Sequence, residues 1–325
     1  MARSEAPSRA PVVWLLRDEK PGHTSQLKGL GNRLRVLAGA DVRDVDATQV
    51  EVPLWRALLG VAPELDAPDA SPDLIIAAGH GTHRLLLSLR RRKKVKTAVL
   101  MKPGFPISWV NAVIAPVHDN IASEKKHVLL TEGVINAITP LARVTEKPEA
   151  LILVGGPSHH FRWEDDVVIG QITELMGRYR DWRWTISGSR RTPDSVLSRL
   201  NELASLKVTV ADHTRTHEHW LPNQLSASRA AWVTPDSGSM VCEAATSGVP
   251  TGIFELAPTP GSRVANGVNR LRESGLVASW SDHATVMAGS VSETPRLWEA
   301  DRAARWLIQN FLSEFSRELR PESRP

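Results

Sequence analysis

Along the chain, short unbroken apolar runs alternate with longer stretches in which apolar positions recur every three or four residues. That alternation is the pattern of strands buried on both faces and the amphipathic helices that cover them. Runs at 11–17, 73–78, 97–101 and 112–115 predict strands, with weaker ones at 41–45 and 128–131. Helical spacing at 24–37, 55–61 and 83–91 falls between them. Residues 139–150 hold two prolines and little periodicity, which predicts a linker. The pattern then restarts, with strands at 151–154, 182–187, 208–211, 230–233, 251–255 and 276–280. Helices are predicted at 165–179, 194–204, 238–247, 266–274 and, longest, 295–319. Strand-helix alternation of this kind predicts an α/β protein with parallel sheets. The expected organisation is two Rossmann-like doubly wound domains, 1–140 and 149–295, facing across a cleft, with a C-terminal helix and tail over 296–325.

Three loops of the second half each follow a strand and precede a helix, so the alternation puts them on one edge of one sheet. The first is Gly155-Gly156-Pro157-Ser158, whose backbone N–H groups can form an anion-binding nest. The second runs from Ser187 to Arg191 and carries Arg190 and Arg191, a pair suited to gripping a diphosphate. The third holds Thr234, Asp236, Ser237, Ser239 and Met240, hydroxyls and an acid cap where a helix starts and its unpaired N–H groups face outward. Glu243, about one and a half turns into that helix, is spaced to reach a ribose. Together these features predict a nucleoside diphosphate site. An ordinary capped helix without ligand accounts for the third loop taken alone.

The first half offers different chemistry. Asp18, Glu19, Lys20, Gly22 and His23 fill the turn after the first strand, and His80 and Lys102 fall in the loops after two later strands. His23 has the side chain best suited to take a proton near neutral pH, with Glu19 or Asp18 as substitutes. His80 is read either as a substrate contact or as a loop histidine bonded to its neighbours. Lys102, with Lys20 and Gly22, is placed to meet an acidic substrate.

Composition narrows the partners. The 325 residues carry 40 Lys and Arg against 36 Asp and Glu, a formal charge of +4, which is far below the density of a nucleic-acid binder. The basic run Arg90-Arg91-Arg92-Lys93-Lys94 is either a solvated helix end or a patch for anionic headgroups. Cys242, alone of its type, excludes an internal disulfide and any cysteine-rich metal site. His213, His217 and His219 lack a carboxylate or thiol at ligand spacing, so no metal is expected. Neither a signal peptide nor an apolar run of spanning length is evident, which predicts a cytoplasmic chain, peripheral at most on the inner face of the membrane.

The layout resembles the two-Rossmann-domain (GT-B) glycosyltransferases, with 155–158 and the 237–248 helix matching where that group holds a nucleotide-sugar. Residues 18–26 with Gly29-Leu30, 73–83, 187–193 and 233–240 are similar to the mitochondrial-fission ELM-type family. The resemblance implies an enzyme that moves a sugar from a UDP- or CMP-linked donor, a substrate rather than a cofactor, to an envelope glycolipid or polysaccharide. GT-B enzymes usually carry Gly-Gly in the N-terminal loop, whereas this chain has Lys20-Pro21-Gly22-His23, which leaves the base open. A nucleotide-sugar 2-epimerase and a non-catalytic membrane adaptor are the alternative expectations.

Overall fold

The computed structural model describes residues 9–65, 71–121, 127–289 and 297–315. The chain divides into two compact units. The first gathers residues up to Thr131, Ile135–Ala137 and the chain from Glu299 onward; the second holds Glu132–Val134 and Ile138–Trp298.

The first unit is built on a six-stranded parallel sheet of order β2-β1-β3-β4-β5-β6. Its strands are β1 (Val12–Arg17), β2 (Asp41–Asp46), β3 (Leu74–Ala78), β4 (Lys96–Leu100), β5 (Ala112–Pro116) and β6 (Val128–Thr131). β1, β3 and β5 are buried nearly end to end because helices cover both faces. Val12, Trp14, Leu16, Ile75 and Val113 point into one core with α3 (His83–Leu89) and Ala57 of α2 (Leu54–Leu59). On the opposite face α1 (Pro21–Ala38) lies against Leu15 and Val42, close enough that a Cβ on Gly31 would touch both. Each such Leu, Ile or Val contributes on the order of 2 kcal/mol by burial.

The second unit has a five-stranded parallel sheet of order β11-β10-β7-β8-β9. Here β7 is Glu149–Leu153, β8 Arg183–Ser187, β9 Val208–Ala211, β10 Ala230–Val233 and β11 Thr251–Ile253. Alternate residues of β7 and β10 feed opposite cores. Ala150, Ile152 and Trp232 pack with α4 (Asp165–Arg178) and α5 (Asp194–Glu202). Leu151, Leu153 and Val233 pack with α7 (Gly238–Ser247) and α8 (Arg263–Glu273). The remaining helices are α6 (Trp220–Ala227), α9 (His283–Ala288) and α10 (Glu299–Phe311).

Several sequence expectations change. α1 begins at Pro21 rather than Thr24, because the fixed φ of proline suits the first helical position. The strand expected at 276–280 reduces to one bridge between Gly252 and Ala278. Residues 139–150 are no free linker: Leu141 donates its N–H to Ser247 O at 2.9 Å and packs, with Val144, on the core of the second unit. The C-terminal helix joins the first unit. Arg33 of α1 bonds Asp301 of α10 at 2.9 and 2.5 Å, and Arg305 closes on the same carboxylate at 2.7 Å. The 3₁₀ turn Ser313–Phe315 follows α10, and the end expected at 319, the tail and the boundary near 295 lie outside the described residues. α6 and α9, both short, are not apparent in the apolar spacing.

Candidate functional site

Open parallel sheets bind ligands where the strand order reverses, beyond the carboxyl ends of the strands. In the first unit that point lies between β1 and β3. Asp18 leaves β1, and its Oδ1 accepts from Lys20 N at 3.1 Å, turning the chain so that Pro21 opens α1 and His23 sits in its first turn. His23 Nδ1 then lies 2.8 and 2.9 Å from the Asp18 carboxylate oxygens. An ionised carboxylate only accepts, so Nδ1 carries a proton, and in the neutral ring Nε2 holds the lone pair.

The loop after β3 comes in against this pair. Gly79 has φ +89° and a Cβ there would collide with both His23 and Asp18, so this position requires glycine for backbone conformation and for space. Thr82, fully buried, donates from Oγ1 to Gly79 O at 2.7 Å and fixes the turn. His80 and His83 meet with ring centroids 4.9 Å apart, their planes tilted by 46°, and His83 meets Phe105 edge-on at 4.9 Å. Burial, then the neighbouring His80, lowers the His83 pKa to about 4, so its imidazole is neutral at pH 7. Three loops therefore converge, those after β1, β3 and β4. Gly104 of the third lies beside the His80 ring, whereas Lys102 is exposed and uses its N–H on Asp119 at 3.2 Å. Glu19, Lys20 and Gly22 are exposed on the same turn. A cleft of about 390 Å³ next to Gly81 is lined by Glu51, Val52, Pro53 and Arg84; sequence reasoning passed over Arg84, which looks like any polar helix residue.

The reversal in the second sheet lies between β7 and β10, so the loops after these strands form the second site. Thr234 Oγ1 accepts from Gly155 N at 2.8 Å, and Asp236 Oδ2 accepts from Gly156 N at 3.0 Å and from Arg191 Nη2 at 2.7 Å. Arg191 Nη1 also donates to Gly156 O and Pro157 O at 3.0 and 3.2 Å. The glycine N–H groups expected to hold an anion are thus engaged by side chains of the protein, and Arg191 is an organiser of the loops. Asp236, expected as a cap, is committed to these bonds, and its Oδ1 is buried without a partner. Ser187 is buried and bonds Gly188 O, Ser158 accepts from His160 N, and Arg190 is exposed.

Ser237 precedes α7 without a side-chain cap, so the first N–H groups of that helix at Gly238, Ser239 and Met240 have no partner from it. Glu243 is half-buried one turn further on. A Cβ on Gly238 would reach Val264 at 3.3 Å, so the starts of α7 and α8 come together. Ser262 caps α8 by accepting from Ala265 N at 3.1 Å, and its Oγ lies 3.1 Å from His160 Nδ1. Burial, then His159, Arg263 and Arg191, lower the His160 pKa. His160, Ser262 and Arg263 escaped sequence reasoning because nothing marks a residue before a helix as neighbour to another helix start. Two helix N-termini and Arg263, with Arg191 beside its Asp236 partner, make a concentration of positive potential suited to an anion. Among the described residues no group of three or more His, Cys, Asp or Glu could hold a metal ion.

The family model described as mitochondrial fission ELM1 matches residues 21–311. The chain belongs to the mitochondrial fission ELM1 family. An uncharacterized protein of Rickettsia prowazekii is 26% identical to this ELM1-family chain over 228 residues, 56% of the chain and 64% of that relative, so the match spans less than two thirds of the relative's length. Solved structures show the fold. A putative UDP-N-acetylglucosamine 2-epimerase from Listeria monocytogenes aligns over 98% of this chain and all of its own, at 13% identity and TM-score 0.62. The UDP-GlcNAc 2-epimerase of Neisseria meningitidis, solved bound to UDP-GlcNAc, aligns over 93% of this chain and all of its own, at 12% identity and TM-score 0.54. MurG of Acinetobacter baumannii aligns over 94% of this chain and all of its own, at 10% identity and TM-score 0.51. The ELM1-family chain is thus an α/β protein with the GT-B fold, built of two Rossmann-like domains.

Proposed function

We propose that the protein is a glycosyltransferase-like enzyme that moves a sugar from a UDP- or CMP-linked donor to a hydroxyl of a cell-envelope glycolipid or polysaccharide. The observation that carries the reading is the Asp18–His23 pair: a histidine with Nδ1 held by a half-buried carboxylate, at a sheet reversal, with Nε2 as its remaining basic atom. His23 Nε2 takes the acceptor proton as the acceptor oxygen bonds to the anomeric carbon of the sugar and that carbon's bond to the nucleotide phosphate breaks. Arg263, Arg191 and the starts of α7 and α8 hold the departing nucleotide phosphate, where negative charge grows. Glu243, half-buried on α7, is assigned to the ribose. Arg84, in the cleft beside Gly81, is the cation offered to an acidic acceptor, in place of the expected Lys102.

The Listeria and Neisseria neighbours favour a second reading, a nucleotide-sugar 2-epimerase, in which the base removes a proton from carbon and no acceptor is needed. Incubation with UDP-GlcNAc in D2O separates the two. Deuterium appearing at C2 of the sugar nucleotide without acceptor means epimerisation; UDP release that requires added acceptor means transfer. Neither result, with no thermal shift from UDP, GDP or CMP, removes both. No helix among the described residues is long and apolar enough to cross a membrane.

A further inference from the structure

Eight large hydrophobic side chains are exposed among the described residues, and five of them fall in one stretch of eight residues. They are Leu54, Trp55, Leu58 and Leu59 of α2, at 58, 51, 48 and 54% exposure, and Val61 just beyond at 40%. Only Ala57 of α2 is buried, so the helix sits on α3 by one small residue and turns its leucines and tryptophan outward. An apolar patch of this density marks an interaction surface.

The basic run adjoins it. Arg90, at the end of α3, donates to Leu58 O at 2.6 Å and also to Ala57 O, fastening α2 by its last carbonyls. Arg91 lies along Gly60, whose Cβ would be 2.8 Å from the Arg91 Cδ. The Arg56 guanidinium stands 5.3 Å over the Trp55 ring. Arg91, Arg92, Lys93 and Lys94 are all exposed beyond it, and the nearest acidic side chains in sequence on the α2 side are Glu51 and Glu64. A short helix with outward leucines and a tryptophan, bordered by cations, has the chemistry of an interfacial anchor. A two-fold contact with a second copy would bring this cationic border against itself, which disfavours that occupant.

We propose that α2 is a membrane-insertion element: Leu54, Trp55, Leu58 and Leu59 enter the headgroup region of an anionic bilayer while Arg56 and Arg91 to Lys94 bind the headgroups. The inference stands whether or not the second unit binds a nucleotide. The full chain is tested by sedimentation with vesicles of phosphatidylcholine containing about a third phosphatidylglycerol, with pure phosphatidylcholine alongside. The native chain is expected to partition onto the anionic vesicles and to leave them as salt rises. Arg91→Gln/Lys93→Gln/Lys94→Gln is expected to lower partitioning about a hundredfold, as removal of three surface cations implies. Leu54→Ser/Leu58→Ser/Leu59→Ser is expected to abolish the binding that survives high salt. Brominated lipids are expected to quench native fluorescence more than that of Trp55→Phe, which keeps an apolar ring and the binding. Equal quenching of the two, equal partitioning of the serine variant, or no preference for the anionic vesicles would overturn the proposal. So would a lipid-independent dimer, or a stable complex with an acidic soluble protein, that the serine variant dissolves.

Discussion

Arg191 reaches across to Asp236, Nη2 to Oδ2 at 2.7 Å, and its partner is 1% exposed while the arginine remains 42% exposed. The same carboxylate accepts from Gly156 N, so one buried acid ties the loops after β7, β8 and β10 together. Arg191→Ala leaves that acid without its cation. The expected cost is about 2 to 3 kcal/mol, reduced from a fully buried pair because the arginine is partly solvated. Adding Asp236→Asn keeps an acceptor for Gly156 N and removes the charge, and is expected to restore about half of the loss. Urea unfolding of the single and double variants checks this; equal midpoints would show that the unpaired charge of Asp236 is not what costs stability.

Because Arg191 is structural in part, nucleotide affinity is better read elsewhere. Arg263, exposed at the start of α8 and close enough to His160 to bear on its titration, is expected to lose about tenfold in affinity for the responding nucleoside diphosphate as Arg263→Gln. Arg190→Gln is expected to leave affinity within about twofold, since that side chain faces solvent. Calorimetric titration of both distinguishes the site built from the structure from the adjacent-arginine site expected from the sequence.

His23→Ala is expected to lower turnover by about a hundredfold or more. Asp18→Asn retains the ring but loses the carboxylate that fixes its tautomer, so a large loss is expected there too. Nucleotide binding is expected to be unchanged in both, because every group assigned to the diphosphate belongs to the second unit. A variant with full turnover would return the proton-transfer role to Glu19 or to solvent.

His83 gives stability a pH dependence. Its pKa falls from 6.5 to about 4 in the folded chain, through burial and then His80, while the unfolded chain keeps the ordinary value. Between those values the unfolded state binds the proton more readily, so stability is full above the unfolded value and declines as pH falls toward about 4. His160 acts in the same direction. His83→Gln is expected to lose less stability on acidification through this window than the native chain. Parallel slopes of melting temperature against pH would sink the assignment.

The strands were legible because parallel strands covered on both faces read as unbroken apolar runs, as at 74–78 and 230–233. The order of alternation then placed the loops on one sheet edge, and His23 and His80 do meet in one loop cluster. What could not be read was which polar groups spend themselves on one another. Asp236 and Arg191 are 45 residues apart, and Asp236 looks like a helix cap from its neighbours alone. Ser262 and Arg263 cap and open a helix whose start meets α7 only in three dimensions. The helix expected at 55–61 forms as α2, but its apolar face turns outward, because Arg90 holds the helix by its carbonyls and only Ala57 docks.

Gly29 shows a sequence motif whose reason is packing. It belongs to the segment that resembles the family, yet it lies mid-helix in α1, where glycine costs about 1 kcal/mol relative to alanine. A Cβ there would strike the Asn136 carbonyl, so the backbone of Ile135–Ala137 rests directly on the helix. Backbone cannot yield as a side-chain tip can. Gly29→Ala is therefore expected to destabilise by about 2 to 3 kcal/mol despite its gain in helix propensity. Gly22→Ala, with no atom within 4 Å of the added Cβ, is expected to be neutral or slightly stabilising. Thermal unfolding of the two variants checks the contrast, and a stabilised Gly29→Ala would mean that the 135–137 segment does not press on α1 in solution.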